Sequence, residues 1–282
     1  LLSSINQNRE SMHSIQESIT TGKGVGRSSD DPIQFFRANR FRQGIKQNEQ
    51  YLENVQNAKG RLQTTSSNLD SMLSQVMTLR ERAVQSANDT LSAENRLQMA
   101  SEINHILEDL VNMANESFLN KNLFSGTKTK VDNPFVYDGN SIEYQGNTGK
   151  INRRISENLT ININVTGQDI LDTNIFNAAL DLRIALENDD TNEIANTIDS
   201  IDTASEKMIS LNTSIGSIQQ QLELAEDRLE TANLNLTTFL SETEDVDLAS
   251  AITQYNSEEM AYQAALQSTA NILRLNIMDF LR

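Results

Sequence analysis

A chain of 282 residues with 37% apolar and only 5% aromatic residues falls below the usual apolar share of a compact domain. Its packing must come from Leu, Ile, Val, Met and Ala more than from large rings, a palette that suits helices lying side by side. The 23 basic and 39 acidic residues leave a net charge of -16, which disfavours nucleic acid and anionic membrane surfaces and leaves protein partners. With no Cys there is no disulfide framework, thiolate zinc site or Cys nucleophile. No apolar run approaches the roughly 20 residues of a membrane-crossing helix, and the start lacks the charged-then-apolar pattern of a cleaved leader.

In chain order, Leu1, Ile5, Met12, Ile15 and Ile19 form an apolar stripe stepping by three or four residues, the spacing of one helix face. Gly22-Lys23-Gly24-Val25-Gly26 has the glycine density of a phosphate loop but lacks its G-x-x-x-x-G-K-[ST] pattern and a preceding strand, so it is a bend. Asp30-Asp31 before Pro32 marks a helix start, where acids favour the positive end and Pro presets the first helical position. A long heptad seam follows: Tyr51, Val55, Ala58, Leu62, Thr65, Leu69, Met72, Val76, Leu79 and Ala83. The polar link 87–91 then predicts an antiparallel third helix from Ala93 to Phe118, capped by Ser92, with Leu97, Ala100, Ile103, Leu107, Leu110 and Ala114 on one side.

After Phe124 the apolar period becomes two. Ile142–Gln145 and Leu159–Val165 alternate, and Asp138-Gly139-Asn140 and 146–149 supply turns, which predicts a small antiparallel β unit. Helices resume near Asn174 as a short hairpin with Leu180, Ile184, Ile194 and Ile198 inward, broken around 188–190. A second seam runs Ile201, Ala204, Met208, Leu211, Ile215, Ile218, Leu222, Ala225, Leu229, Ala232, Leu236 and Phe239. A last stripe is Leu248, Ile252, Tyr255, Tyr262, Leu266, Leu273, Ile277 and Phe280.

The fold class expected is mainly α with a small β insertion, an elongated antiparallel helical bundle carrying an inserted antiparallel β domain. A helix of about 45 residues at 1.5 Å per residue spans roughly 70 Å, which makes the spine a rod. The segments are 1–34 (terminal helix and bend), 35–126 and 173–243 (two parts of the helical bundle), 127–172 (the β domain) and 244–282 (the closing helix). A lone amphipathic terminal helix is marginal in water, so both ends are expected to fray in the single molecule and to order against each other or against neighbouring subunits.

No reaction centre stands out, and an enzyme is not expected. His13 and His105 lie on different helices without Cys or Asp at ligand spacing. Asn-x-Ser/Thr triplets at Asn88, Asn115, Asn158, Asn164, Asn212 and Asn235 are what an Asn-rich chain yields by chance. Catalytic, cofactor and metal sites are all expected to be absent.

Thr21-Gly22-Lys23 and Arg27-Ser28-Ser29-Asp30-Asp31-Pro32 before a long helix resemble the N-terminal signature of the bacterial flagellin family. The resemblance continues through 79–88, Met113-Ala114-Asn115, Asn122-Leu123-Phe124-Ser125-Gly126, Asp245-Val246-Asp247-Leu248-Ala249 and the closing 276–282. It spans nearly the whole chain, is weakest from Leu171 to Ser200, and sets the start late, within the family's first helix. In the middle, 123–129, Asn133-Pro134-Phe135, 144–149 and Val165-Thr166-Gly167 are similar to the family's branch at the junction of hook and filament.

This resemblance implies a structural subunit of the extracellular flagellum, secreted through the flagellar type III apparatus without a cleaved signal. It implies a homo-oligomer forming one axial layer that adapts hook to filament, in contact with the first hook-associated protein and with flagellin. An export chaperone would hold the closing helix, and no nucleic acid, membrane or cofactor is implied. The two terminal stripes would be the assembly interface, and Gly22, Ser29, Asp30, Asp31, Pro32, Phe124, Ser125 and Gly126 the family motif. Rival readings are a short filament flagellin, a coiled-coil secretion or signalling protein, for which the β insertion is unexpected, and last a hydrolase using Asp30 and Asp31.

Overall fold

The computed structural model describes residues 2–29, 31–88 and 90–280, with backbone alone for 2 and 271–280. Along the chain these form helices α1 (Leu2–Thr21), α2 (Pro32–Ser86) and α3 (Ala93–Ala114), then strands β1 (Ser117–Phe118), β2 (Lys121–Asn122), β3 (Phe135–Tyr137), β4 (Ile142–Tyr144), β5 (Asn152–Arg154) and β6 (Thr160–Asn162). Helices α4 (Gly167–Leu171), α5 (Ile175–Glu187), α6 (Thr191–Glu244) and α7 (Leu248–Phe280) follow. The chain divides into two compact units, one of Leu1–Glu49 with Glu230–Arg282 and one of Gln50–Leu229.

The Gln50–Leu229 unit holds the core. All ten seam residues from Tyr51 to Ala83 are buried, Thr65 among them, its hydroxyl satisfied by the Arg61 carbonyl at 2.9 Å. Against this face lie α3 and α6, both antiparallel to α2. Contacts between Asn68 and Met113 (3.0 Å) and Arg82 and Glu102 (2.8 Å) run in opposite directions along α2 and α3. Lys59 with Glu226 (2.5 Å), Ser66 with Asn212 (2.8 Å) and Arg80 with Asp202 (2.5 Å) do the same for α6. Each fully buried Leu, Val, Ile or Met contributes about 1.5–3 kcal/mol, so the seam is a substantial source of stability here.

Buried arginines correct two readings of the sequence. Leu97 and Ile184, expected inward, are exposed, because Arg96 and Arg183, one residue earlier, take the inward positions. The α3 seam therefore runs Arg96, Ala100, Ile103, Leu107, Leu110 and Ala114 in an unbroken four-three rhythm. Arg96 donates to the carbonyls of Ser86 (3.1 Å) and Asn88 (3.0 Å), satisfying the orphan acceptors where α2 ends, and pairs with Asp189 in the α5–α6 turn.

Helix α3 ends at Ala114 and not at Phe118. Asn115 leaves the helix to bond Phe135 through both its side-chain atoms at 2.8 Å each, and Ser117–Phe118 turn back as a strand onto Lys121–Asn122. Leu119 and Asn120 between them both have positive φ, the requirement of a two-residue type I′ turn. Helix α6 is continuous from Thr191, so Ile194 and Ile198 belong to the second long helix and not to a separate short one.

The expected antiparallel β insertion consists of two hairpin sheets, β3 with β4 and β5 with β6, and β1 pairs with β2 ahead of it. The Asp138 carboxylate accepts from the backbone of Asn140 (2.8 Å) and Ser141 (2.6 Å) to shape the expected turn. The alternation at 159–165 becomes a strand only at Thr160–Asn162, yet it buries Ile161, Ile163 and Val165 while Leu159 stays exposed.

Candidate assembly surface

In the unit of Leu1–Glu49 with Glu230–Arg282, α1 and α7 pack against each other. Ile5, Met12, Ile15 and Ile19 on α1 are half-buried, as are Tyr255 and Tyr262 on α7. Leu248, Ile252 and Leu266 remain 48%, 48% and 44% exposed. Leu1 and the side chains of Leu273, Ile277 and Phe280 lie outside the described residues. Among the described side chains of α7 only Ala251 is buried. Two helices can cover one side of each other's stripe and no more, so about 1 kcal/mol of burial per large side chain is left unrealised.

Further exposed apolar side chains gather in the same unit, including Ile33 (80%), Phe36 (65%), Leu234 (69%) and Met260 (66%). Sequence reading missed these; the run Ile33-Gln34-Phe35-Phe36 after the cap was the available signal. Phe239, expected as a core residue, is half exposed with its ring 5.8 Å from that of Phe41.

The bends at the two ends zip together. Gly22, with φ of 73°, ends α1 in the left-handed conformation that a Cβ disfavours, and its N–H reaches the Ser18 carbonyl at 2.9 Å. Its own carbonyl then accepts from Val246 N at 3.0 Å, and Gly24 N donates to the Glu244 carbonyl at 2.7 Å. Between them Lys23 and Asp245 form an antiparallel bridge.

The Glu244 side chain is buried and paired with both Lys23 and Arg42. Burial alone would raise the Glu244 carboxyl, but the two cations outweigh it and hold it below the ordinary carboxylate value. Helix α2 starts on Asp31, whose carboxylate accepts from Ile33 N (2.9 Å) and Gln34 N (3.0 Å), with Pro32 at the first helical position. Asp247 does the same for α7 through Ala249 N (3.0 Å) and Ser250 N (3.3 Å). Ser29 stands in the turn before α2, and Asp30 lies outside the described residues.

The scattered middle motifs converge on one node. Ser125 and Phe124 are buried, and Gly126, with φ of 66°, passes so close to Asn147 that a Cβ would collide with its carbonyl. Asn147 Oδ1 accepts from Thr127 N (2.8 Å) and Gly149 N (3.1 Å), while Asn147 N donates to the Ser125 carbonyl (3.2 Å). The Tyr144 hydroxyl lies 2.9 Å from the carbonyls of both Phe124 and Asn147 and accepts from Gly167 N at 3.3 Å. Its ring completes a cluster with Phe135 and Phe176.

The node is pinned to the helices through the Arg183 Nη1, 2.6 Å from the Gly139 carbonyl and 2.8 Å from the Tyr137 hydroxyl. Among the described residues no group of three or more His, Cys, Asp or Glu could hold a metal ion, and both His13 and His105 are exposed. No helix is long and apolar enough to cross a membrane among the described residues.

Residues 1–129 match the bacterial flagellin N-terminal helical region and residues 198–281 the bacterial flagellin C-terminal helical region. The flagellar hook-associated protein 3 of Escherichia coli is 25% identical over 93% of this chain and 90% of its own length. The flagellar filament 30.7 kDa core protein of Treponema maltophilum is also 25% identical, over 94% of this chain and 90% of its own. Among solved structures, the flagellar hook-associated protein 3 of Legionella pneumophila superposes with a TM-score of 0.65 at 16% identity, over 72% of this chain and 98% of that one.

Proposed function

The chain belongs to the bacterial flagellin family, and from that premise we propose that it is a structural flagellar subunit adapting the hook to the filament. The observation that carries this reading is the α1–α7 pair, whose apolar stripes are half covered within the chain. Neighbouring copies supply the missing cover. Ordering a backbone residue costs on the order of 1–2 kcal/mol, so assembly must gain apolar contact along most of both helices to offset it.

In this reading the chain leaves the cell through the flagellar export apparatus, where a chaperone shields the α7 stripe before assembly. It then forms one layer, with the first hook-associated protein on one side and flagellin on the other, and it catalyses no reaction. The similarity to a relative named hook-associated protein 3 over nearly the whole chain supports the junction role. The equal identity to a filament core protein favours a second reading, a filament subunit. An epitope inserted in the exposed loop at 157–158 and detected by immuno-electron microscopy on flagella of the parent bacterium separates the two. One labelled band above the hook supports the junction, and label along the tube supports the filament.

A further inference from the structure

In the Gln50–Leu229 unit, a cavity of about 450 Å³ opens between α2 and the strands β1, β2 and β5. Its lining contains three cations, Arg61, Lys121 and Arg153, and no Asp or Glu among the described residues, in a chain whose net charge is -16. Neither Lys121 nor Arg153 meets a carboxylate among the described residues, whereas elsewhere in this unit Arg80, Arg82 and Arg96 each pair with one.

Arg61 is 6% exposed. Its Nη2 donates to the carbonyls of Asn122 (3.0 Å) and Leu123 (2.8 Å), but its buried Nε has no hydrogen-bond partner among the described residues. An unpaired guanidinium donor at that depth costs free energy. Burial first, and the charge of Arg153 second, press the Arg61 guanidinium below its ordinary value. The amide side chains of Asn54 and Asn57 add neutral polar groups, and Phe118 and Ile163 give an apolar wall.

We infer that this cavity binds a small phosphate monoester, its dianionic oxygens held between Arg61 and Arg153 with help from Lys121, and its carbon body against Phe118 and Ile163. The guanidinium fork of Arg153 beside the charges of Arg61 and Lys121 matches the oxygen cluster of a dianion better than a single carboxylate, and the volume falls in the range of small-ligand sites. The excess of surface acid makes diffuse anion binding a weak background.

Isothermal titration calorimetry on the whole chain with phenyl phosphate, inorganic phosphate and phenol tests this. The expected result is that phenyl phosphate binds about tenfold more tightly than inorganic phosphate and that phenol does not bind. Arg153→Gln and, separately, Lys121→Gln should each weaken phenyl phosphate about tenfold with an unchanged melting curve, since both side chains are exposed. Failure of phenyl phosphate to bind, or affinity unaffected by Arg153→Gln, would overturn the proposal. So would selective binding of an acidic peptide copied from residues 187–193 with none of phenyl phosphate, which would make the cavity a protein contact.

Discussion

The α2 seam and the two terminal stripes share one period and differ in cover. From Tyr51 to Ala83 each seam residue is buried, beneath α6 together with α3 from about Asn68 onward and with the β region before it, while Ile5 to Ile19 and Leu248 to Leu266 are at best half covered by one opposing helix. Period fixes which face of a helix is apolar; the number of helices around it decides how much of that face becomes stability. Cover from more than one side makes a core, and cover from one side leaves apolar surface exposed.

The comparison breaks most visibly at the seam. Leu69→Ala should cost about 2–5 kcal/mol in denaturant unfolding, because its site is enclosed and collapses poorly. A cost below 1 kcal/mol would mean the seam is not the tight core described. Next comes Glu244→Gln, which leaves Lys23 and Arg42 without their carboxylate; a loss of about 1–3 kcal/mol is expected, moderated because both cations reach solvent.

The pH dependence of that contribution has a definite sign. The folded Glu244 carboxyl titrates below its unfolded value near 4.5, so its contribution is complete above that pH and is lost as pH falls through the lower folded value. Stability of the parent chain measured on acidification should therefore fall more steeply than that of Glu244→Gln, and equal slopes would remove the charge clasp from the account. Asp31→Ala should cost about 1 kcal/mol by removing the acceptor for Ile33 N and Gln34 N, seen as a small shift in the same unfolding curves.

The smallest stability effect sharpens the contrast instead of breaking it. Ile252→Asp with Leu266→Asp should change monomer stability by less than about 1 kcal/mol, since both side chains already face water, while abolishing incorporation into flagella. Incorporation at the normal level would show that the α7 stripe is not an assembly surface.

The long seams were legible because ten consecutive heptad positions leave one face to choose. What escaped was chemistry that a polar-or-apolar reading cannot express. Arg96 and Arg183 stand inward because their guanidiniums satisfy carbonyls at chain turns, and sequence alone gives an Arg no visible address. Asn115 ends α3 four residues early by serving as a partner to Phe135, a contact made 20 residues away. The middle motifs were visible as strings, but their meeting at Asn147 and Tyr144 depends on three separate hairpins that short alternating runs could not pair. Of the terminal surface, the stripes were legible from their spacing, whereas Ile33, Phe36, Leu234 and Met260 belong to no long repeat and emerged only once their neighbours were in place.

The terminal helices are half-sheltered in one molecule, and in the proposed assembly neighbouring copies supply the rest. Amide hydrogen exchange of the dilute chain, compared with the same chain in assembled flagella, measures this directly. Amides of α1 and α7 should exchange orders of magnitude faster than those around Leu62 and Leu69 in the dilute chain and become comparably slow in the assembly. Terminal helices as well protected in the dilute chain as the Tyr51–Ala83 seam would contradict it.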